Sequence, residues 1–64
     1  MVTIQFTTNT LAFRNPYTGK EDVICKELES VRILKHITKE IEFFGKKAGT
    51  IVDINDTEIG EWSI

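Results

Sequence analysis

From Lys20 to Phe44 the chain contains neither glycine nor proline. The segments on either side are full of breakers, with Asn15-Pro16 and Thr18-Gly19 before it and "GKKAGT" after it. Within the uninterrupted stretch, Val23, Ile33, Leu34, Ile37, Ile41 and Phe44 gather on one side when about 100° is added per residue. That spacing predicts a helix over Val31–Phe44. Gly45 is its natural stop, and Lys46 and Lys47 then lie near the negative end of the helix dipole. The start falls between Lys20 and Ser30. Thr18 and Glu21 have the spacing of a capping box, so "EDVICKELES" is either the first turns of the helix or a separate element.

The two flanks have a different period. In "VTIQFTT", Val2, Ile4 and Phe6 alternate with Thr3, Gln5 and Thr7, the mark of a half-buried strand. "TIVDIN" and "TEIGEWSI" are two more strand-like runs, joined at Asn55-Asp56. Both joining residues tolerate positive φ, as a tight type I′ turn requires. Gly60 within the last run predicts a bulge or a close backbone approach. Trp62 and Ile64 share one face and Ile59 the other. Leu11 and Phe13 are apolar residues in a loop and are expected to fold back on the core. The order β-α-β-β makes residues 1–64 a single small α+β domain. Its three-stranded sheet is antiparallel or mixed, with one helix packed on one face. Ile4, Phe6, Ile37, Ile41, Phe44 and Trp62 form the expected core.

Sixty-four residues bury a modest fraction of their surface, and domains of this size usually rely on a covalent, metal or subunit staple. Cys25 is the only cysteine, which rules out an intrachain disulfide. A structural zinc site wants about four Cys or His ligands, and His36 is the only histidine. No metal or cofactor is therefore expected, and self-association into a homo-oligomer is. The net charge of −2 does not suit a general binder of double-stranded nucleic acid, which is basic overall. "MVTIQFTTNT" lacks the charged and apolar regions of a signal peptide. No segment approaches the ~20 apolar residues of a membrane span. A cytoplasmic protein with a reduced thiol is the expectation.

No catalytic constellation is visible. On one continuous helix Cys25 and His36 would stand about 16 Å apart, too far for a thiol–imidazole pair. Cys25 reads as a small core residue and His36 as a solvated one. Asp53, Asp56, Glu58 and Glu61 make an acidic hairpin without the spacing of a calcium loop. "GKKAG" follows a helix instead of preceding one, so it is a C-cap and connection, with Lys46 and Lys47 available to an anion. Arg32, Lys35 and Lys39 line up opposite the predicted core, with His36 beside them. Leu28 and Phe43 also lie off the core face. This surface is either a solvated amphipathic face or a cationic stripe for a nucleotide, a nucleic-acid strand or an acidic partner. In the second case Arg32 is the expected phosphate ligand, because its planar guanidinium binds bidentately. Phe43 or Tyr17 then offers a stacking surface.

"TTNTLAF" near the start, "VRILKHITKEIE" in the helix and "GTIVDINDTEIGEW" at the end resemble a group of very small phage and prophage proteins. These combine a "T-[TD]-N-x-A-F" start, an "ARIL…I…IE" helix and a closing "D-I-N-G-N-x-[IV]-G-E-W/F" hairpin. The likeness covers both ends and the helix. This chain differs in having "NDTE" where the group has a glycine-containing turn, and in the longer "NPYTGKEDVICKE" before the helix. The resemblance implies a phage or prophage context and no mechanism. In that context a non-enzymatic accessory protein that counters host defence is expected. It would be an oligomeric sponge sequestering a nucleotide immune signal. The alternative is a stoichiometric inhibitor that blocks a host defence protein, as anti-CRISPR proteins do.

Overall fold

The breaker-free stretch is one helix, α1, spanning Val23–Phe44 in the computed structural model, which describes every residue from Met1 to Ile64. The segment before Val31 thus belongs to the helix. Its cap is Asp22 and not Thr18. Asp22 Oδ1 accepts from the amides of Ile24 and Cys25 at 2.9 and 3.1 Å. Thr18 Oγ1 is used one turn earlier, accepting from the Lys20 amide. The Cys25 amide, and after it the Asn15 side chain, hold the Asp22 carboxyl below its ordinary value. Asn15 organises the preceding loop. Its Oδ1 accepts from the amides of Tyr17 and Thr18, and its Nδ2 donates to Asp22 Oδ2 at 3.3 Å. At the far end Gly45 takes φ 62°. Its amide bonds to Ile41 O at 3.0 Å and the Lys46 amide to Glu40 O at 3.3 Å. Those bonds satisfy carbonyls that a helix end otherwise leaves unpaired.

Three strands, β1 (Thr3–Phe6), β2 (Ala48–Val52) and β3 (Glu58–Ser63), make an antiparallel sheet in the order β1-β3-β2. Directly opposed residues share a face. Ile4 opposes Trp62 and Phe6 opposes Gly60 on one side of β3, while Gly49 opposes Trp62 and Ile51 opposes Gly60 on the other. These six positions form the inner face. Thr3, Gln5, Thr50, Glu61 and Ser63 alternate with them and form a polar outer face.

Gly60 meets both expectations for it. A Cβ there would lie 1.9 Å from Gln5 O and 2.6 Å from Phe6 Cα, so only glycine lets β1 approach. The register of β2 against β3 also slips here, because Val52 opposes Glu58 while Ile51 opposes Gly60. The extra residue is Ile59. A bulge resets the period-2 alternation, and Ile59 joins Trp62 in the core in place of facing the other way.

The β2–β3 turn is not type I′. Only Asp56 has positive φ, at 63°. The Asp53 amide donates to Thr57 O at 2.9 Å and the Asp56 amide to Asp53 O at 3.0 Å. This is a three-residue hairpin loop with its left-handed residue last. Asp53 Oδ1 accepts from the amides of Asn55 and Thr57 at 2.8 and 3.0 Å, which fixes the turn from inside.

The core holds Phe13, Ile33, Ile37, Ile51, Ile59 and Trp62, with Phe6, Ala12 and Ile41 packed against it. Trp62 is only 3% exposed, and Gly49 makes room for its indole, since a Cβ there would stand 2.7 Å from Nε1. Phe13, on a single 3-10 turn over Leu11–Phe13, folds back on the core as expected, whereas Leu11 is exposed. The helix supplies less than its apolar face promised. Leu34 in mid-helix and Ile4 on β1, both expected inside, are 44 and 40% exposed. Val23 and Phe44, at the two ends of the helix, are exposed. At the ends the cause is length. A helix of 22 residues runs about 33 Å, whereas strands of this length reach about 13–20 Å. α1 overhangs the sheet, and the molecule measures 39 × 20 × 16 Å. No helix is long and apolar enough to cross a membrane.

Candidate functional site: the outer face of helix α1

The cationic stripe divides into two unlike parts. Arg32 is engaged within the fold. Its Nε and Nη2 both donate to Glu29, the latter at 3.0 Å. Glu29 is buried, and its Oε2 also accepts from the Ile54 amide at 2.8 Å. One carboxylate therefore ties helix to hairpin turn, and Arg32 supplies the opposite charge that its burial demands. The hydrogen bond to Glu29 raises the guanidinium further above its ordinary value despite partial burial. Arg32 still faces solvent, with its side chain 40% exposed, but it is paired with Glu29. A ligand phosphate would have to compete with Glu29 for it.

Lys35 and Lys39 are different. Both are exposed, and neither has an ion-pair partner. With Phe43, also exposed, they follow one another at four-residue steps along one row of the helix. His36 Nε2 lies 2.9 Å from Glu40 Oε1, and Lys46 Nζ lies 3.7 Å from the same oxygen. Lys46 is thus partly neutralised. Lys47 has an exposed side chain without an ionic partner, while its carbonyl accepts from the Ile64 amide. Tyr17 is exposed on the loop before α1.

Overlapping the lysine row at Lys35 is an apolar one. Ile24, Leu28, Val31 and Leu34 are 67, 66, 47 and 44% exposed. At about 100° per residue they span an arc of about 120° on the side away from buried Ile33. The sequence pointed to Leu28 alone of these four. The other signal was Ile24 and Val31 at steps of i, i+4 and i+7 with Leu28. Glu29 was legible in the same way, because it sits on the row of Ile33 and Ile37.

A cleft of about 320 Å³ opens between α1 and β2, bordered by Arg32, His36, Thr50 and Asp56 above Ile37 and Trp62. Ligand cavities run from about 300 to 1,000 Å³, so it is at the small end. Cys25 is a half-buried free thiol. Burial, and then the neighbouring Asp22 charge, push its pKa up, the reverse of an activated nucleophile. No group of three or more His, Cys, Asp or Glu side chains is placed to hold a metal ion. No family model, curated protein or solved structure matches the chain.

Proposed function

We propose that the protein is a non-catalytic phage accessory protein that counters host defence by sequestering a nucleotide-derived signal, acting as a homo-oligomer in the host cytoplasm. The observation that carries this reading is the row Lys35–Lys39–Phe43. It places two unpaired cations and one exposed aromatic ring on a single helix face. Phosphates need localised positive charge and a base needs a flat apolar surface. Lys46 and Lys47 add charge at the helix end, and Arg32 contributes only by releasing Glu29. Lys39, centred in the row, is the residue that matters most. The phage context comes from the likeness of "TTNTLAF", the helix and the closing hairpin to small phage proteins.

The test is calorimetry of the purified protein against cyclic and linear nucleotides. Binding of at least one, lost in Lys39→Glu with helicity unchanged, is expected. No heat with any nucleotide overturns the reading. A second reading, a blocker of a host defence protein, is favoured by the exposed apolar row Ile24–Leu28–Val31–Leu34. Mass spectrometry of proteins captured from infected-host lysate distinguishes it, since a sponge retains no stoichiometric host protein.

A further inference from the structure

The apolar row on α1 has no partner within the chain. We infer that two copies pair their α1 helices antiparallel, with the two-fold axis passing beside Val31. This inference rests on the homo-oligomer of the proposed function and gives it a geometry. It shares Lys35 with the lysine row, leaving Lys39 and Phe43 to the ligand.

The surface area asks for a partner of this size. The molecule exposes 4891 Å², whereas a folded chain of 7.3 kDa is expected to expose about 4,200 Å². The excess, about 700 Å², is close to the roughly 800 Å² that each partner buries in a standard interface. The radius of gyration agrees. It is 12.4 Å, against about 10.7 Å for a compact chain of this length. Seven of the exposed apolar side chains lie along α1, four of them in the row Ile24, Leu28, Val31 and Leu34.

Charge selects the orientation. With the axis at Val31, residues equally far before and after it come to the same height in the pair. Leu28 of one copy meets the level of Leu34 of the other, and Ile24 that of Thr38. Glu27 meets the level of Lys35, four residues to either side of the axis. All six are exposed in the single chain, and neither Glu27 nor Lys35 has an ionic partner within it. A parallel pair would set Glu27 against Glu27 and Lys35 against Lys35. Like charges across a helix seam disfavour a pairing and opposite ones select it. The two-fold also accounts for a row that is apolar at its centre and charged on its flanks, because a symmetric interface must complement itself.

Sedimentation of the wild-type chain over micromolar to millimolar concentration is expected to give twice the monomer mass. A monomer mass across that range overturns the proposal. Glu27→Lys alone and Lys35→Glu alone are each expected to weaken the dimer by about tenfold or more. The double variant Glu27→Lys/Lys35→Glu is expected to restore it. A parallel pair keeps its like-charge contacts in all of these variants, so failure of the double variant to recover overturns the antiparallel geometry. Val31→Arg, at the axis, is expected to yield a monomer of unchanged helicity by circular dichroism. A Val31→Arg dimer as tight as wild type likewise overturns the seam. Nucleotide binding is read separately by calorimetry in Lys39→Glu, outside the seam. A dimer that gives no heat with any nucleotide overturns the sponge and leaves the seam. A monomer that binds nucleotide overturns the seam and the oligomeric part of the sponge.

Discussion

At the scale of single residues, carboxylates do most of the organising. Asp22 caps the helix, Glu29 joins helix to hairpin, and Asp53 holds the turn together. Each is spent on backbone amides, which is why the acidic hairpin "DINDTE" serves as architecture. Asp56 is the exception, since it carries positive φ without a recorded side-chain bond. L-residues pay for the left-handed conformation and glycine does not. Asp56→Gly is expected to stabilise the fold by up to about 1 kcal/mol, after glycine's greater entropy in the unfolded chain is subtracted. An unchanged or lower urea midpoint would contradict this.

Among elements, the helix and three strands were legible because each has a clean period: about 3.6 residues within the breaker-free stretch and two in the flanks. The sheet's inner face was legible only in part. Ile59 was placed opposite Trp62 by strict alternation, and a single bulge at Gly60 reversed that. Periodicity carries no information about an inserted residue until the pairing is known. The pairing of Arg32 was not legible for a related reason. A helical wheel records direction, which for Arg32 is outward, and says nothing of the carboxylate at i−3 that engages it. Helix ends are a third case, because the wheel does not reveal where the sheet stops, and so Val23 was put on the apolar side and Phe44 counted as core. Gly60 marks the tightest contact between elements. Gly60→Ala drives a methyl into the β1 backbone and is expected to cost about 3 kcal/mol or more, the upper range for overpacking. Hydrogen exchange should show the Thr7 amide, bonded to Ile59 O, losing protection before the helix does. Equal loss everywhere would mean that β1 is not a separable unit.

For the whole molecule, acid is the revealing stress. Both Asp22 and Asp53 have carboxyl groups held below their ordinary value of 3.8. Burial pushes Asp53 up, and the Thr57 and Asn55 amides bonded to Oδ1, with the Arg32 charge, outweigh it. Groups of this kind stabilise the fold fully above the unfolded pKa and lose that contribution as pH falls through the folded one. Stability is therefore expected to be flat near neutrality and to decline below about pH 4. Asp53→Asn keeps an oxygen for the Asn55 and Thr57 amides but does not titrate. Its stability should fall less steeply between pH 4 and pH 2 than the wild type's, measured by urea midpoints. Parallel curves would show that Asp53 titrates alike in both states.

The strand order β1-β3-β2 has a consequence in time. β3 pairs with β2 across a short turn, but Thr3 must find Ser63 at nearly the full length of the chain. Closing a long loop is entropically dearer than closing a short one, and distant pairings form slowly. The hairpin and α1 are therefore expected to assemble first, with β1 zipping on last. Until it does, β3, central in the finished sheet, is an unprotected edge, and Trp62 lacks its neighbour Ile4. Slowed docking of β1 prolongs the one interval in which this chain is open to pairing with the wrong strand.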